Sequence, residues 1–236
     1  MHIAVLMANT DESAFARAHP GDGEKFRALL GEVRPEWRVS VVPVKDGVFP
    51  ANLAGFDGFI ITGSPASARA DVPWVARLLA VIREIEALRV PLFGACFGHQ
   101  AIALALGGEV AENPGGWVFG VTETAHPQAA GWMGGDTGAV RAYAAHQEQV
   151  VVLPARARVL GGRAACPVGS LALGDHVFTT QYPPEMTHGF VTALAGELAG
   201  VLPEAVIAAA RASLVEEAVI ARMRAWIIGF FEYRRG

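Results

Sequence analysis

A strand, a tight turn and a helix in direct succession constrain this chain more than any other feature. The apolar residues Val90–Phe93 predict a short buried strand, and the alanine-rich residues Ala101–Leu106 predict a helix. Cys96 lies at the turn between them, flanked by Gly94 and Gly98. Small neighbours permit a sharp bend that exposes a nucleophile at the end of a sheet, and a helix N-terminus stabilises a thiolate or an oxyanion. A small buried core cysteine fits the same spacing, so both interpretations stay open.

Strands and helices alternate in the part of the chain that precedes this turn. Apolar runs predict buried strands at Ile3–Met7, Trp37–Val44 and Phe56–Thr62, and apolar residues at helical spacing predict helices at Gly23–Val33 and Trp74–Leu88. Such alternation indicates a parallel sheet with helices on both faces. In sheets of this kind ligands bind at the carboxyl ends of the strands, and the cysteine turn lies at such an end.

The second half of the chain has a different pattern. Short strand candidates lie at Val118–Thr124, Val140–Ala144, Val150–Leu153, Arg158–Leu160, Ser170–Leu173 and Val177–Gln181. Helical patterns return at 187–200 and 204–231. We therefore predict an α/β fold with an open, mostly parallel central sheet, helices on both faces, an antiparallel extension and a helical C-terminal tail.

The domain organisation follows from the same pattern. Residues 1–200 are predicted to form one domain, and residues 201–236 a helical extension that packs on it. The extension is very apolar over residues 226–231, just before Tyr233, Arg234 and Arg235. This apolar end either packs against the core or forms a subunit interface, which would make the protein a homodimer.

Composition and charge argue against several classes of function. The formal net charge is −4, which gives no reason to expect binding to nucleic acid or to an anionic membrane. No uncharged apolar run is long enough to span a bilayer, and no basic leader precedes the first strand. The two cysteines, Cys96 and Cys166, are too few for a disulfide framework. We expect a cytoplasmic protein in which Cys166 is a small buried residue.

Four segments lie in an order that carries a family resemblance: Gly63-Ser64-Pro65, Gly94–Gln100, Ala145–Glu148 and Gln181–Glu185. The second, Gly-Ala-Cys-Phe-Gly-His-Gln, resembles the nucleophile motif of the class I (triad-type) glutamine amidotransferases, such as the glutaminase domain of GMP synthase. The first resembles the loop that supplies an oxyanion-hole N–H, and the third the segment that lines the glutamine pocket. The fourth resembles the Gln-Phe-His-Pro-Glu segment that carries the other two triad residues. The resemblance covers roughly residues 1–195 and implies a flavodoxin-like fold.

The resemblance implies a covalent mechanism. Cys96 would attack the side-chain amide of glutamine, ammonia would leave, and water would hydrolyse the γ-glutamyl thioester. Glu185 would orient the histidine that carries the proton. The N–H groups of Phe97 and Gly63 would form the oxyanion hole. The remaining substrate-binding candidates implied by the resemblance are Ser64, Gln100 and His146.

The family's histidine position, two residues before Glu185, holds Pro183. Proline can neither accept nor donate a proton, and general acid–base catalysis is worth roughly 10²–10⁴-fold in rate. Hydrolysis of glutamine should therefore be slow or absent unless another base serves the thiol. His188, three residues beyond Glu185, and His146 are the candidates, each with a hydrogen-bonded or surface histidine as the competing interpretation.

Three functions remain open on the sequence. The first is Cys96-dependent hydrolysis of glutamine or a γ-glutamyl amide, impaired by Pro183. The second is a pseudoenzyme that binds glutamine, a γ-glutamyl ligand or a partner protein without turnover, and the third is a cysteine hydrolase with another substrate and a relocated base. We expect no cofactor, because no P-loop, metal-ligand cluster or dinucleotide fingerprint is present. An acceptor of ammonia would be a separate partner subunit.

Overall fold

The computed structural model describes residues 1–233, and its first half builds the strands that carry the candidate site. In chain order this half contains β1 (His2–Leu6), α1 (Ala14–Arg17), α2 (Asp22–Gly31), β2 (Arg38–Val42), β3 (Gly58–Ile61), α3 (Pro73–Ala87), β4 (Leu92–Ala95) and α4 (Phe97–Ala105). The second half contains β5 (Glu109–Glu112), β6 (Val118–His126), β7 (Gly138–His146), β8 (Glu148–Val152), β9 (Ala157–Arg163), β10 (Cys166–Leu173), β11 (Val177–Thr180), α5 (His188–Glu197), α6 (Glu204–Ser213) and α7 (Ala221–Glu232).

The central sheet has nine strands in the order β2-β1-β3-β4-β11-β10-β9-β6-β7, and β5 pairs with β8 in a separate two-stranded sheet. The pairs from β2 to β11 are parallel, and those from β11 to β7 are antiparallel. The predicted α/β fold is confirmed, as a mixed sheet with a parallel centre. Two short elements, α1 and β5, were not predicted, because four residues are too few to show an apolar period.

One strand lies elsewhere than the sequence indicated. Residues 177–181 were assigned to the antiparallel extension, but β11 pairs in parallel with β4, with Val177 opposite Leu92 and Thr180 opposite Ala95. All four residues of β11 are buried, so both of its faces are covered, as is usual for a central parallel strand. Its position brings the segment that follows β11 beside the turn that follows β4.

Alternate residues of the central strands pack into two cores on opposite faces of the sheet. On one face, Ile3 and Val5 of β1 pack with Phe26 of α2 and with α7. On the other face, Ala4 and Leu6 pack with α3 and α4. Successive side chains of a strand point to opposite faces, and helices cover both faces of this sheet. Every residue of such a strand is therefore buried, so the strand appears in the sequence as a continuous apolar run.

The C-terminal helix α7 packs against the sheet of its own chain. Its buried residues are Met223, Trp226, Ile227, Ile228, Phe230 and Phe231. The Phe230 ring lies 5.1 Å from Trp132 and 5.8 Å from Phe178, between ring centroids. The apolar end of the extension is therefore covered within the chain, so this helix lends the homodimer no support. The boundary at residue 200 stays a prediction, and residues 234–236 of the extension lie outside the described residues.

Among residues 1–233, no helix combines the length and the apolar character needed to cross a lipid bilayer.

Candidate active site

Cys96 lies at a strained turn between β4 and α4. Its backbone angles are φ 50° and ψ −105°, and Arg89 is the only other non-glycine residue with positive φ within residues 1–233. Such a conformation costs on the order of 1–3 kcal/mol and persists only where the surrounding structure enforces it. The turn places the thiol at the carboxyl end of the parallel strands.

The neighbouring glycines permit this turn because backbones approach each other closely there. A Cβ on Gly98 would lie 2.4 Å from the carbonyl oxygen of Ile61 in β3. A Cβ on Gly94 would lie 2.7 Å from the carbonyl carbon of Gly98. Both distances are shorter than van der Waals contact, so any larger residue would push α4 away from the sheet and displace Cys96.

A cavity of about 760 Å³ opens beside Cys96. One group of lining residues comes from the segments after β3 and β11 and from the end of β7, and it includes Gly63, Ser64, Pro65, Ala145, Pro183 and Glu185. A second group comes from the segment that follows β1 and from the start of α2, and it includes Asn9, Phe15, Asp22 and Lys25. A third group of lining residues is apolar and includes Met186, Phe190, Leu194 and Leu198. This volume exceeds that of free glutamine several-fold, so the cavity can hold a larger ligand.

The thiol of Cys96 is buried and protonated at neutral pH. Burial, together with the negative charge of Glu185, raises its pKa from 9.0 to about 12. The Phe97 N–H and the Gln181 amide oppose this effect, and the Gln181 Nε2 donates to the Sγ at 3.6 Å. Both donors stabilise the thiolate and so lower the pKa of Cys96. Burial raises this pKa by more than the two donors lower it.

Glu185 lies beside Cys96 but has no histidine as a partner among the described residues. A Cβ on Gly63 would lie 3.7 Å from the Cys96 Cβ and 4.0 Å from the Glu185 Oε1, so both side chains flank this glycine. Glu185 is 5% exposed, and its Oε2 is buried with no hydrogen-bond partner within residues 1–233. Burial and the nearby Asp22 carboxylate raise its pKa from 4.5 to about 8, against the opposing effect of Lys25.

None of the histidines in residues 1–233 lines this cavity, whereas Pro183 does. His188 begins α5, and its ring lies 6.3 Å from that of Tyr143. His146 donates from Nδ1 to the carbonyl oxygen of Glu148 at 3.1 Å, and burial lowers its pKa to about 4. The structure does not bring either histidine to the cavity wall beside the thiol.

The other predicted site residues divide between the cavity wall and the layer behind it. Gln100 lies behind, where its Nε2 donates to the Glu148 carbonyl oxygen at 2.8 Å and to the Gln181 Oε1 at 3.2 Å. The Phe97 ring packs on Trp74, with 5.6 Å between ring centroids. Ser64 lines the cavity, but its Oγ accepts from the Ala66 N–H at 3.1 Å and so holds the loop after β3. The roles assigned to these residues stay predictions.

Sequence reasoning missed a charged cluster that lines the cavity. Lys25 and Asp22 form an ion pair of 2.9 Å, and Asn9 donates to Asp22 at 2.8 Å. Asn9 follows β1 and so lies at the carboxyl edge of a parallel sheet, and this position could have identified it as a cavity residue from the sequence. Asp22 and Lys25 lie at the start of a surface helix and gave none, because only the packing of α2 brings them to Glu185.

Replacing Glu185 by glutamine is expected to remove a pH-dependent loss of stability. Because the pKa of Glu185 is raised from 4.5 to about 8, the folded protein binds more protons than the unfolded chain between these pH values. The free energy of unfolding therefore falls as pH rises through this window, by ~2 kcal/mol from pH 6 to pH 8, and levels off above it. Urea unfolding of the parent and of Glu185→Gln measures this difference. The same pH slope in both proteins would contradict the expectation.

This chain matches a known protein family and is similar in sequence to individual proteins. The family model described as glutamine amidotransferase class-I matches residues 30–192. Gamma-glutamyl peptidase 3 from Arabidopsis thaliana is 30% identical over 190 residues, which are 77% of this chain and 76% of that protein. A subunit of the glutamine-hydrolyzing GMP synthase from Saccharolobus solfataricus is 31% identical over 153 residues, 64% of this chain and 77% of that subunit.

A solved structure shares the fold over nearly the whole chain. The crystal structure of a glutamine amidotransferase from Thermotoga maritima superposes with a TM-score of 0.76, covering 98% of each chain at 16% sequence identity. At this identity the likeness concerns the fold alone. The match extends beyond residue 195, so the shared architecture includes the C-terminal helices.

Proposed function

Because the chain belongs to the class I glutamine amidotransferase family, we propose that its cavity binds a γ-glutamyl amide and that Cys96 cleaves this amide slowly through a γ-glutamyl thioester. The observation that carries the proposal is the strained Cys96 turn at the wall of a cavity of about 760 Å³ that no histidine of residues 1–233 lines. Strain is retained at a turn when the geometry is used, and the missing base limits the rate.

The chemistry proceeds in two steps. The thiol of Cys96 gives its proton to water and forms a bond to the side-chain carbonyl carbon of the γ-glutamyl group, while the N–H groups of Phe97 and Gly63 stabilise the oxyanion. The carbon–nitrogen bond then breaks, the departing nitrogen takes up a proton from water, and a second water molecule hydrolyses the thioester to release glutamate and restore the Cys96 thiol. A thiol pKa of about 12 leaves few molecules ionised at neutral pH, which makes the first step slow.

The substrate class comes from the relatives. Four of the matched proteins, at 27–31% identity, are named gamma-glutamyl peptidases. A γ-glutamyl amide larger than glutamine also suits a cavity of this volume. Similarity to the GMP synthase subunit supports a second fate for the released nitrogen, which is transfer to an ammonia-accepting partner.

A binding protein without turnover is the second candidate function. The protonated thiol and the absence of a histidine from the cavity wall, among the described residues, favour it. In that case the pocket would bind the γ-glutamyl ligand and Cys96 would contribute contact only. The two candidates share the ligand and differ in whether a carbon–sulfur bond forms.

Release of glutamate from glutamine and from γ-glutamylglycine by the parent protein and by Cys96→Ala tests the proposal. We expect slow release by the parent, roughly 10²–10⁴-fold below a site with a histidine base, and none by the variant. Calorimetry with Cys96→Ala measures ligand binding without turnover. Binding without Cys96-dependent release would favour the second candidate, and absence of both would contradict the proposed function.

A further inference from the structure

The Glu185 side chain lines the cavity, and one oxygen of its carboxyl group has no hydrogen-bond partner among the described residues. The side chain is 5% exposed, and the unpaired oxygen is Oε2. A buried carboxylate without a partner is unfavourable, whereas a charged donor would satisfy it strongly. We propose that Glu185 binds a protonated amine of the ligand, a proposal that rests on the γ-glutamyl function above.

The protein's own cation near Glu185 is already engaged. Lys25 pairs with Asp22 at 2.9 Å, and its Nζ lies 3.6 Å from the centroid of the Phe190 ring. The side chains of Lys25 and Asp22 are 8% and 9% exposed, so this pair is fixed inside the wall. With two carboxylates and one ammonium, the cluster carries excess negative charge when Glu185 is ionised. An alkylammonium group from the ligand balances it.

Pro183 leaves the carboxylate free for such a ligand. Proline has no backbone N–H and no polar side-chain atom, so it cannot satisfy Glu185 from two residues away. Gly63 has no side chain, and a Cβ there would lie within 4.0 Å of both Cys96 and Glu185. A ligand that reaches the thiol past Gly63 therefore also lies next to the Glu185 carboxyl group.

A γ-glutamyl amide with its carbonyl at Cys96 can offer an ammonium from two places. One is the α-amino group of the glutamyl part, and the other is an amine carried by the departing part. Both are alkylammonium groups within a few bonds of the scissile amide. The chemistry at Glu185 is the same in the two cases, so the ligands must be designed to separate them.

The test is calorimetry on Cys96→Ala, which cannot turn the ligand over. The probes are γ-glutamyl-3-aminopropylamide and γ-glutamylbutylamide, which differ by an ammonium in place of a methyl group, together with their α-N-acetyl forms. We expect a probe with the ammonium group that Glu185 binds to have at least about tenfold higher affinity than the matched probe without that ammonium group. A difference between the aminopropylamide and the butylamide would place the bound amine on the departing part. A difference between each probe and its α-N-acetyl form would place it on the glutamyl part.

Two variants in the same background assign the effect. Glu185→Gln should erase the preference, while Glu12→Gln should keep it, because the Glu12 side chain is 72% exposed and pairs with Lys45 at the cavity rim. Circular dichroism shows whether each variant keeps its fold. Equal affinity for all four probes, or a preference that survives Glu185→Gln, would overturn the inference while the γ-glutamyl function stands. Binding of none of the probes would overturn that function, and the inference with it.

Discussion

Replacing Pro183 by histidine is expected to raise Cys96-dependent release of glutamate from glutamine by roughly 10²–10⁴-fold, the usual contribution of general acid–base catalysis. Pro183 lines the cavity that contains Cys96 and Glu185, so an imidazole there has space and two functional neighbours. Glu185 would gain a partner for its unpaired oxygen and hold the tautomer of the histidine. A neighbouring imidazolium would lower the pKa of the thiol from about 12.

Three measurements separate this gain from an indirect effect. Pro183→Ala removes the proline without supplying a base and should stay as slow as the parent. Cys96→Ala combined with Pro183→His should release no glutamate. The alkylation rate of Cys96 with iodoacetamide, followed by mass spectrometry, should level off at a lower pH in Pro183→His than in the parent. A folded Pro183→His protein with no gain in turnover would show that something other than the base is missing.

Replacing Phe230 by alanine is expected to lower the free energy of unfolding by about 3–5 kcal/mol, as for other large core truncations. Phe230 is fully buried in α7, where its ring contacts Trp132, Phe178 and Phe231 at centroid distances of 5.1–5.8 Å. Phe178 belongs to β11, so α7 stabilises the strand that leads to Glu185. Loss of the ring would leave a cavity at the centre of one of the two cores.

Urea unfolding measures this loss, and an exposed residue of the same extension provides the control. Val215 is 83% exposed, so Val215→Ala should change stability by less than about 0.5 kcal/mol. A single transition in both variants would indicate that residues beyond 200 unfold together with the sheet. A loss below about 1 kcal/mol for Phe230→Ala would contradict the packing described for α7.

The elements that could be predicted are those with a strong local period. The apolar runs of β1, β3 and β4 and the amphipathic pattern of α3 place strands and helices within a few residues of their observed bounds. The glycines around Cys96 predicted the tight turn, because only small residues permit that approach of backbones. Pro183 likewise predicted the loss of a base, since the residue type itself excludes proton transfer.

The neighbours of Glu185 could not be predicted in this way. Its contact with the Asp22 and Lys25 pair depends on how α2 packs on the sheet, and no local pattern records an encounter between segments so far apart in the chain. The place of β11 beside β4 was missed for the same reason, since strand order is decided by burial of both faces and not by composition. Closeness in sequence is an equally poor guide to contact, because His188 lies three residues beyond Glu185 and yet does not line the cavity.

The sequence by itself determined the α/β fold, the cysteine turn and the missing histidine, because these follow from local periodicity, residue size and side-chain chemistry. Only the tertiary structure decided the electrostatics of the site. The burial of Cys96 and Glu185 raises both pKa values, to about 12 and about 8. Desolvation depends on every group that surrounds a side chain, and those groups come from distant parts of the chain. The same packing leaves one Glu185 oxygen unpaired, among the described residues, beside a cavity large enough for a ligand.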